Sequence, residues 1–126
     1  AQAASLAAEV REGALLCLRD ESGTLVGGCL LGTRPYGPWR GRPGEAAYLQ
    51  RLVVARAVAG RGWGARVVEH AQRWAGAQGR ALLRLDCWEG NAVLRAYYRG
   101  LGFVELDTVP QDGHRVRLFE RVVAGP

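Results

Sequence analysis

The run Ala59-Gly60-Arg61-Gly62-Trp63-Gly64-Ala65 stands between an apolar stretch, Leu49 to Val58, and a helical pattern, Val67 to Ala77. A strand, a glycine-rich turn and a helix in that order can hold a phosphate. Glycine lets the main chain turn tightly and approach a ligand with no Cβ in the way. The first turn of a helix carries N–H groups without internal partners, at the positive end of the helix dipole. Together these make an anion site. A turn that does nothing but start a helix has the same composition, so the run gains weight from a second segment: Asn91-Ala92-Val93-Leu94-Arg95-Ala96-Tyr97-Tyr98-Arg99-Gly100-Leu101-Gly102-Phe103. Asn91 can cap a short helix there, and Tyr98 supplies a phenol whose bland alternative is a core aromatic.

The chain that must position these residues has 126 of them, enough for one domain with a single core. Its apolar fraction of 48% predicts a globular rather than a disordered chain. It contains no apolar stretch of membrane-span length and no charged-then-apolar leader, so a soluble cytoplasmic protein is expected. Cys17, Cys29 and Cys87 lack metal-type spacing and lie in apolar stretches. They read as small core residues in a reducing compartment. All seventeen basic residues are arginine, and the net charge of +5 favours anionic ligands. The arginines are spread along the chain rather than gathered in one run, which disfavours nucleic acid and fits a solvated surface with one local phosphate site.

Periodicity predicts the elements. Ala1 to Glu12, rich in Ala, Leu and Glu, reads as a helix or its remnant. Ala14 to Arg19 and Leu25 to Gly32 form a hairpin around Glu21-Ser22-Gly23. Arg34 to Gly44, punctuated by Pro and Gly, reads as an exposed, mobile loop. Ala46 to Ala55 is a strand. Val67, Ala71 and Trp74 recur at helical spacing, with Gly79 as the stop. Ala81 to Cys87 is a strand, Asn91 to Gly100 a short helix, and Phe103 to Val109 and Arg115 to Val123 are strands joined at Gln111-Asp112-Gly113. The order β-β-β-α-β-α-β-β gives a mixed sheet with helices packed on it.

The two segments together resemble the GNAT superfamily of acyl-CoA-dependent N-acetyltransferases. That family carries an Arg/Gln-x-x-Gly-x-Gly/Ala turn between its fourth strand and a long helix. Downstream it often has an Asn, a Tyr seven residues later, and then a Gly-Phe. Gly62 and Gly64 fill the turn glycines; Asn91, Tyr98 and Gly102-Phe103 fill the downstream positions. The resemblance spans about Ala14 to Val123. It implies an α+β fold: a central mixed, mostly antiparallel sheet with a splayed parallel strand pair and flanking helices. Residues 1–126 would form a single GNAT-like acetyltransferase domain. Ala59 departs from the family's Arg or Gln, for which Arg61 or Arg66 could compensate. The N-terminal elements look shortened, since only Ala1–Glu12 stands before the first hairpin.

The resemblance also implies the chemistry. Acetyl-CoA is the acyl donor, its pantetheine arm pairing with free backbone groups of Leu52, Val53 and Val54 like an added strand. A bulge there would aim an N–H at the thioester carbonyl, an oxyanion contact worth about 3–4 kcal/mol. Gly60, Arg61, Gly62, Trp63, Gly64 and Ala65 would cradle the pyrophosphate, with Trp63 packing or sitting at the rim. Asn91 could bond the pantetheine arm as well as cap its helix. Tyr98 would assist departure of the CoA thiolate through a strong hydrogen bond, with Tyr97, on a different face, as the packing residue. A lysine-like amine is neutral only about once in 2,500 molecules at pH 7, so a base is needed. Gln50 and Arg51, on the strand before the turn, cannot serve. Asp86 occupies a position used by an acidic base in some relatives. Glu45 and Glu89 read as surface or turn carboxylates, and His70 and His114 as solvated. No metal is implied.

The leading expectation is therefore an N-acetyltransferase moving an acetyl group to a primary amine by direct attack through a tetrahedral intermediate. The alternative is a non-catalytic acyl-CoA-binding module, toward which Ala59, the short front end and the missing strand carboxylate lean. An Arg-rich nucleic-acid binder ranks below both, because the aromatics do not interleave with a basic patch. The partners expected are acetyl-CoA and an amine, with no membrane and with a homodimer left open. The Arg34–Gly44 loop would border the acceptor site, its Tyr36 and Trp39 either touching substrate, lying exposed, or joining a dimer contact.

Overall fold

Alternation along the strands gives the sheet two different faces. In a strand successive side chains point opposite ways, and the central strand of this chain buries four in a row, Ala46, Ala47, Tyr48 and Leu49. Ala47 and Leu49 pack with Val67, Val68, Ala71 and Ala75 of the first helix and Tyr98 of the second. Ala46 and Tyr48 pack the other way, with Trp39, Val116 and Leu118.

The structure is a computed structural model that describes residues 3–10 and 13–123. Its elements are β1 (Ala3–Val10), β2 (Gly13–Arg19), β3 (Leu25–Gly32), β4 (Ala46–Val54), α1 (Trp63–Ala77), β5 (Leu82–Trp88), α2 (Ala92–Gly100), β6 (Val104–Gln111) and β7 (His114–Val122). They form one seven-stranded sheet in the order β1-β2-β3-β4-β5-β7-β6. Only β4 and β5 pair in parallel; the other neighbours are antiparallel. The expected α+β class, the mostly antiparallel sheet and the two flanking helices are all present. No helix among the described residues is long and apolar enough to cross a membrane. Cys29 and Cys87 are buried, as small core residues should be, and burial pushes their thiols up to about 12 and about 11.

Two expectations are corrected. The segment read as a helix, Ala1 to Glu12, is the strand β1, paired antiparallel with β2 from Ala3 opposite Arg19 to Val10 opposite Gly13. Residues 1, 2, 11 and 12 of that expectation lie outside the described residues. Alanine favours helix by only a fraction of a kcal/mol per residue, roughly 0.7 at most over ordinary residues. An antiparallel partner beside it outweighs that preference. The Arg34–Gly44 loop is not a loose exposed segment. It turns through a short 3₁₀ stretch, Gly37–Trp39, and Trp39 is fully buried.

Arg84 holds that loop down. It is 2% exposed, the only charged side chain of the described residues buried to that degree. Its Nη2 donates to the Pro43 carbonyl at 2.7 Å, its Nε donates to Glu120 at 2.8 Å, and its guanidinium lies 4.8 Å over the Trp39 ring. Proline and glycine exclude regular structure in the loop, but they do not prevent a buried indole and a buried cation from fastening it.

Glu105 closes the opposite corner, where Arg95 and Arg99 of α2 and Arg117 of β7 all donate to its carboxylate. Burial opposes its charge, but the three guanidiniums hold its pKa down to about 2. A lowered carboxylate contributes stability above its unfolded pKa and loses it as pH falls through the folded one. Glu105→Gln is expected to cost about 1.5–3 kcal/mol in urea unfolding at pH 7. The deficit should shrink between pH 5 and pH 2; a deficit independent of pH would mean that these charges do not matter.

Candidate active site

The β4–β5 ladder is short. Ala46, Ala47 and Tyr48 pair with Leu82, Leu83 and Arg84, and no pair follows. From Leu49 onward the β4 edge facing β5 has no strand against it among the described residues. On its other edge β4 follows β3, but the register slips between Gly28 and Leu30, so that Arg51 and Leu52 together oppose Cys29. Arg51 takes a φ of 56°, the left-handed region that a non-glycine residue enters at about 1–2 kcal/mol. A bulge of this kind bends the strand and re-aims its backbone groups. The separation of β5 from β4 opens the wedge, and the bulge turns β4 within it.

A cavity of about 320 Å³ lies at this wedge on the helix face. Leu52 and Val54 line it from β4, and Tyr97 and Tyr98 line it from α2. At its far end Gly60 and Gly62 take φ values of 81° and 80°, and Gly62 is the left-handed N-cap of α1. No side chain caps that helix. Its first N–H groups therefore remain available at the positive end of a 15-residue helix. Gly64 is buried, and a Cβ there would collide with the Tyr97 hydroxyl.

Of the residues singled out from sequence for the donor, Leu52, Val54, Gly60, Gly62, Trp63, Gly64, Ala65 and Tyr98 border this one cavity. Val53, Arg61 and Asn91 do not. Val53 points to the other face and is 60% exposed. Arg61 is exposed. Asn91 caps α2, its Oδ1 accepting from the Leu94 N–H at 3.0 Å. Ala59, Leu94, Tyr97 and Leu101 also line the cavity. Leu94, Tyr97, Tyr98 and Leu101 follow the three- and four-residue spacing of one helix face, the signal that would have found them.

The two tyrosines divide differently from the sequence reading. Tyr98 is 8% exposed and packs edge-on against Phe119 and Phe103, with centroids at 5.5 and 6.2 Å. Tyr97, read as the packing residue, is 41% exposed and lays its hydroxyl on Gly64. Burial, together with Cys87, Asp86 and Tyr97 nearby, pushes the Tyr98 phenol up to about 12. It is thus a neutral hydrogen-bond donor across the physiological range.

Asp86 does not line that cavity; it lies on the other face of β5, two residues past the end of the β4–β5 ladder. Arg84 and Asp86 are two residues apart on β5 and share the face occupied by the Gly37–Trp39 turn. Tyr36 donates its hydroxyl to Asp86 Oδ1. Burial raises the Asp86 carboxyl above its ordinary value, with Tyr36 pulling the other way, and burial beside Asp86 raises the Tyr36 phenol strongly. Tyr98 feels the charge of Asp86 from across the sheet. One wedge therefore has an apolar cavity ending in a helix N-terminus on one side and a carboxylate held by a tyrosine on the other. Trp39, buried in the second core cluster, is not available to a substrate. Glu89 is ion-paired with Arg115 at 3.6 Å.

The chain is similar to known proteins in sequence and in fold. The profile of the acetyltransferase (GNAT) family matches residues 2–103. The uncharacterized N-acetyltransferase YesJ of Bacillus subtilis is 34% identical over 79 residues, which are 63% of this chain and 42% of YesJ. The match thus spans less than half the length of that curated relative. Among solved structures, a GNAT-family acetyltransferase from Listeria monocytogenes superposes with a TM-score of 0.68 at 24% identity, covering 86% of this chain and 63% of its own. A Bacillus anthracis protein described as a streptothricin acetyltransferase, solved with acetyl coenzyme A, gives 0.72 at 16% identity, covering 91% and 65%.

Proposed function

Because this chain belongs to the acetyltransferase (GNAT) family, we propose that it is an acetyl-CoA-dependent N-acetyltransferase acting on a primary amine. One observation carries the reading: an unpaired, bulged strand edge and an uncapped helix N-terminus open onto the same cavity. A pantetheine arm needs a backbone edge, and a diphosphate needs N–H groups at a helix start. Leu52 and Val54 line the first, and the Gly60–Ala65 turn supplies the second.

Bound there, acetyl-CoA supplies a thioester whose acyl carbon the amine attacks. Asp86 takes the proton that the attacking amine gives up, and the C–N bond forms. The C–S bond breaks, and Tyr98 steadies the departing thiolate by donating its phenolic hydrogen bond. A main-chain N–H at the Arg51–Leu52 bulge is the candidate donor to the oxyanion of the tetrahedral intermediate.

The test begins with binding. Acetyl-CoA is expected to raise Tm and ATP is not. Gly64→Val, which fills the cavity and displaces the Tyr97 hydroxyl, should weaken acetyl-CoA binding by about 10–100-fold. Its circular dichroism should stay unchanged, because Tyr97 can swing into solvent. Equal shifts with ATP and acetyl-CoA, or full binding by Gly64→Val, would remove the donor assignment. Ala59, in place of the family's Arg or Gln, favours a second reading, a non-catalytic acyl-CoA-binding module. Acetyl-CoA binding without turnover across a broad amine panel would select it.

A further inference from the structure

We infer, on the acyl-transfer reading above, that the acceptor site continues along the sheet face opposite the helices into a groove that holds a second positive charge, so that the preferred acceptor is an aliphatic diamine rather than a monoamine. A groove of about 440 Å³ lies on that face, bordered by Trp88, Gln111, Asp112, His114 and Val116. Asp86 and Trp88 are two residues apart on β5 and share this face. Val116 stands opposite Trp88 in register and belongs to the cluster against which Tyr36 packs. The groove therefore starts one side-chain step beyond Asp86, roughly 7 Å along the strand.

A path of contacts joins the two ends. Tyr36 holds Asp86. The next residue, Gly37, has no side chain, and the Gln111 amide lies against it so closely that a Cβ would come within 2.9 Å of Nε2. That same Nε2 donates to Asp112 Oδ2 at 3.1 Å. Gln111 thus ties the groove wall to the turn that carries Tyr36.

The lining has the chemistry of a cation site with an apolar body. Trp88 is 62% exposed, and its indole is a receptor for an alkylammonium. Asp112, in the tight β6–β7 turn at a φ of 50° that aspartate tolerates, lines the same groove with a carboxylate. Val116 and the indole offer a surface for methylenes. The basic residue next along β7, Arg115, is paired with Glu89. An amine at Asp86 that carries a second ammonium about 7 Å away would set that charge at Trp88, in the groove that Asp112 also lines, whereas a monoamine leaves both unused.

Cadaverine and pentylamine have the same carbon chain and differ by the second amine. The kcat/KM for cadaverine is expected to exceed that for pentylamine about tenfold. Trp88→Ala and Asp112→Asn should each bring the ratio close to one without changing KM for acetyl-CoA; asparagine keeps the turn, because it too accepts positive φ. Equal kcat/KM for the two amines in the wild-type protein, or a preference that survives both substitutions, overturns the inference and leaves acyl transfer standing. Acetyl-CoA binding with no turnover of any amine overturns both.

Discussion

Tyr98→Phe is expected to lower kcat by about 10²-fold or more while leaving the Kd for acetyl-CoA and the Tm nearly unchanged. The hydroxyl makes no hydrogen bond to any described residue, so the fold loses nothing with it. The phenylalanine ring keeps the contacts with Phe103 and Phe119. What disappears is a donor at the cavity wall. With its pKa pushed up to about 12, this phenol cannot hand its proton completely to a thiolate whose own pKa is about 8.5. Its contribution is the hydrogen bond as charge builds on sulfur. Stopped-flow release of CoA, with calorimetric binding as the control, measures the two quantities separately. Unchanged kcat takes Tyr98 out of the mechanism; lost binding makes it part of the donor site instead. The rate should also show no loss from ionisation of Tyr98 on the alkaline side up to about pH 11, because deprotonation of the donor begins only near its raised pKa.

Asp86→Asn should lower kcat/KM for the amine by about 10²–10³-fold, with acetyl-CoA binding intact. The asparagine oxygen still accepts from Tyr36, so the loop keeps its fastening and the loss reports the missing base. In the wild-type protein the acid limb of kcat/KM should lie above the ordinary carboxylate range, since burial raises this carboxyl. Stability moves the other way. A carboxyl whose folded pKa exceeds its unfolded one stabilises the fold below the unfolded pKa and loses that contribution as pH rises through the folded pKa. At pH 7 the buried charge of Asp86 therefore works against folding, and Asp86→Asn should melt at or above the wild-type temperature. The difference should close below about pH 4. A variant that is slow because it is less stable would point to a structural role; a variant that is as fast as wild type would rule out Asp86 as the base.

The glycine turn and the helix cap were readable from the sequence because their parts are local. A glycine turn before a helix and an asparagine three residues ahead of the N–H that it caps are constraints that act within about one helical turn. Gly62 and Gly64 stood out in the local run, whereas Leu52 and the role of Tyr98 were expected from the family resemblance.

The acceptor side was less legible because its parts come from far apart. Tyr36 meets Asp86 across 50 residues of chain, and Gln111 reaches Gly37 through a turn at the other end of the sheet. The loop reads as loose because its prolines and glycines are adjacent, while Arg84, which lies over its Trp39 and bonds its Pro43 carbonyl, is far along the chain. Likewise β1 carries a helix-forming composition and becomes a strand because β2 lies beside it.

By itself the sequence determined most of the elements, the glycine turn before α1 and the Asn91 cap of α2. Tertiary structure alone decided where β4 parts from β5, which tyrosine is buried, and which carboxylate faces the opening. Local backbone preferences are set by a few neighbouring residues, whereas pairing, burial and electrostatic surroundings depend on groups that only the completed sheet brings together.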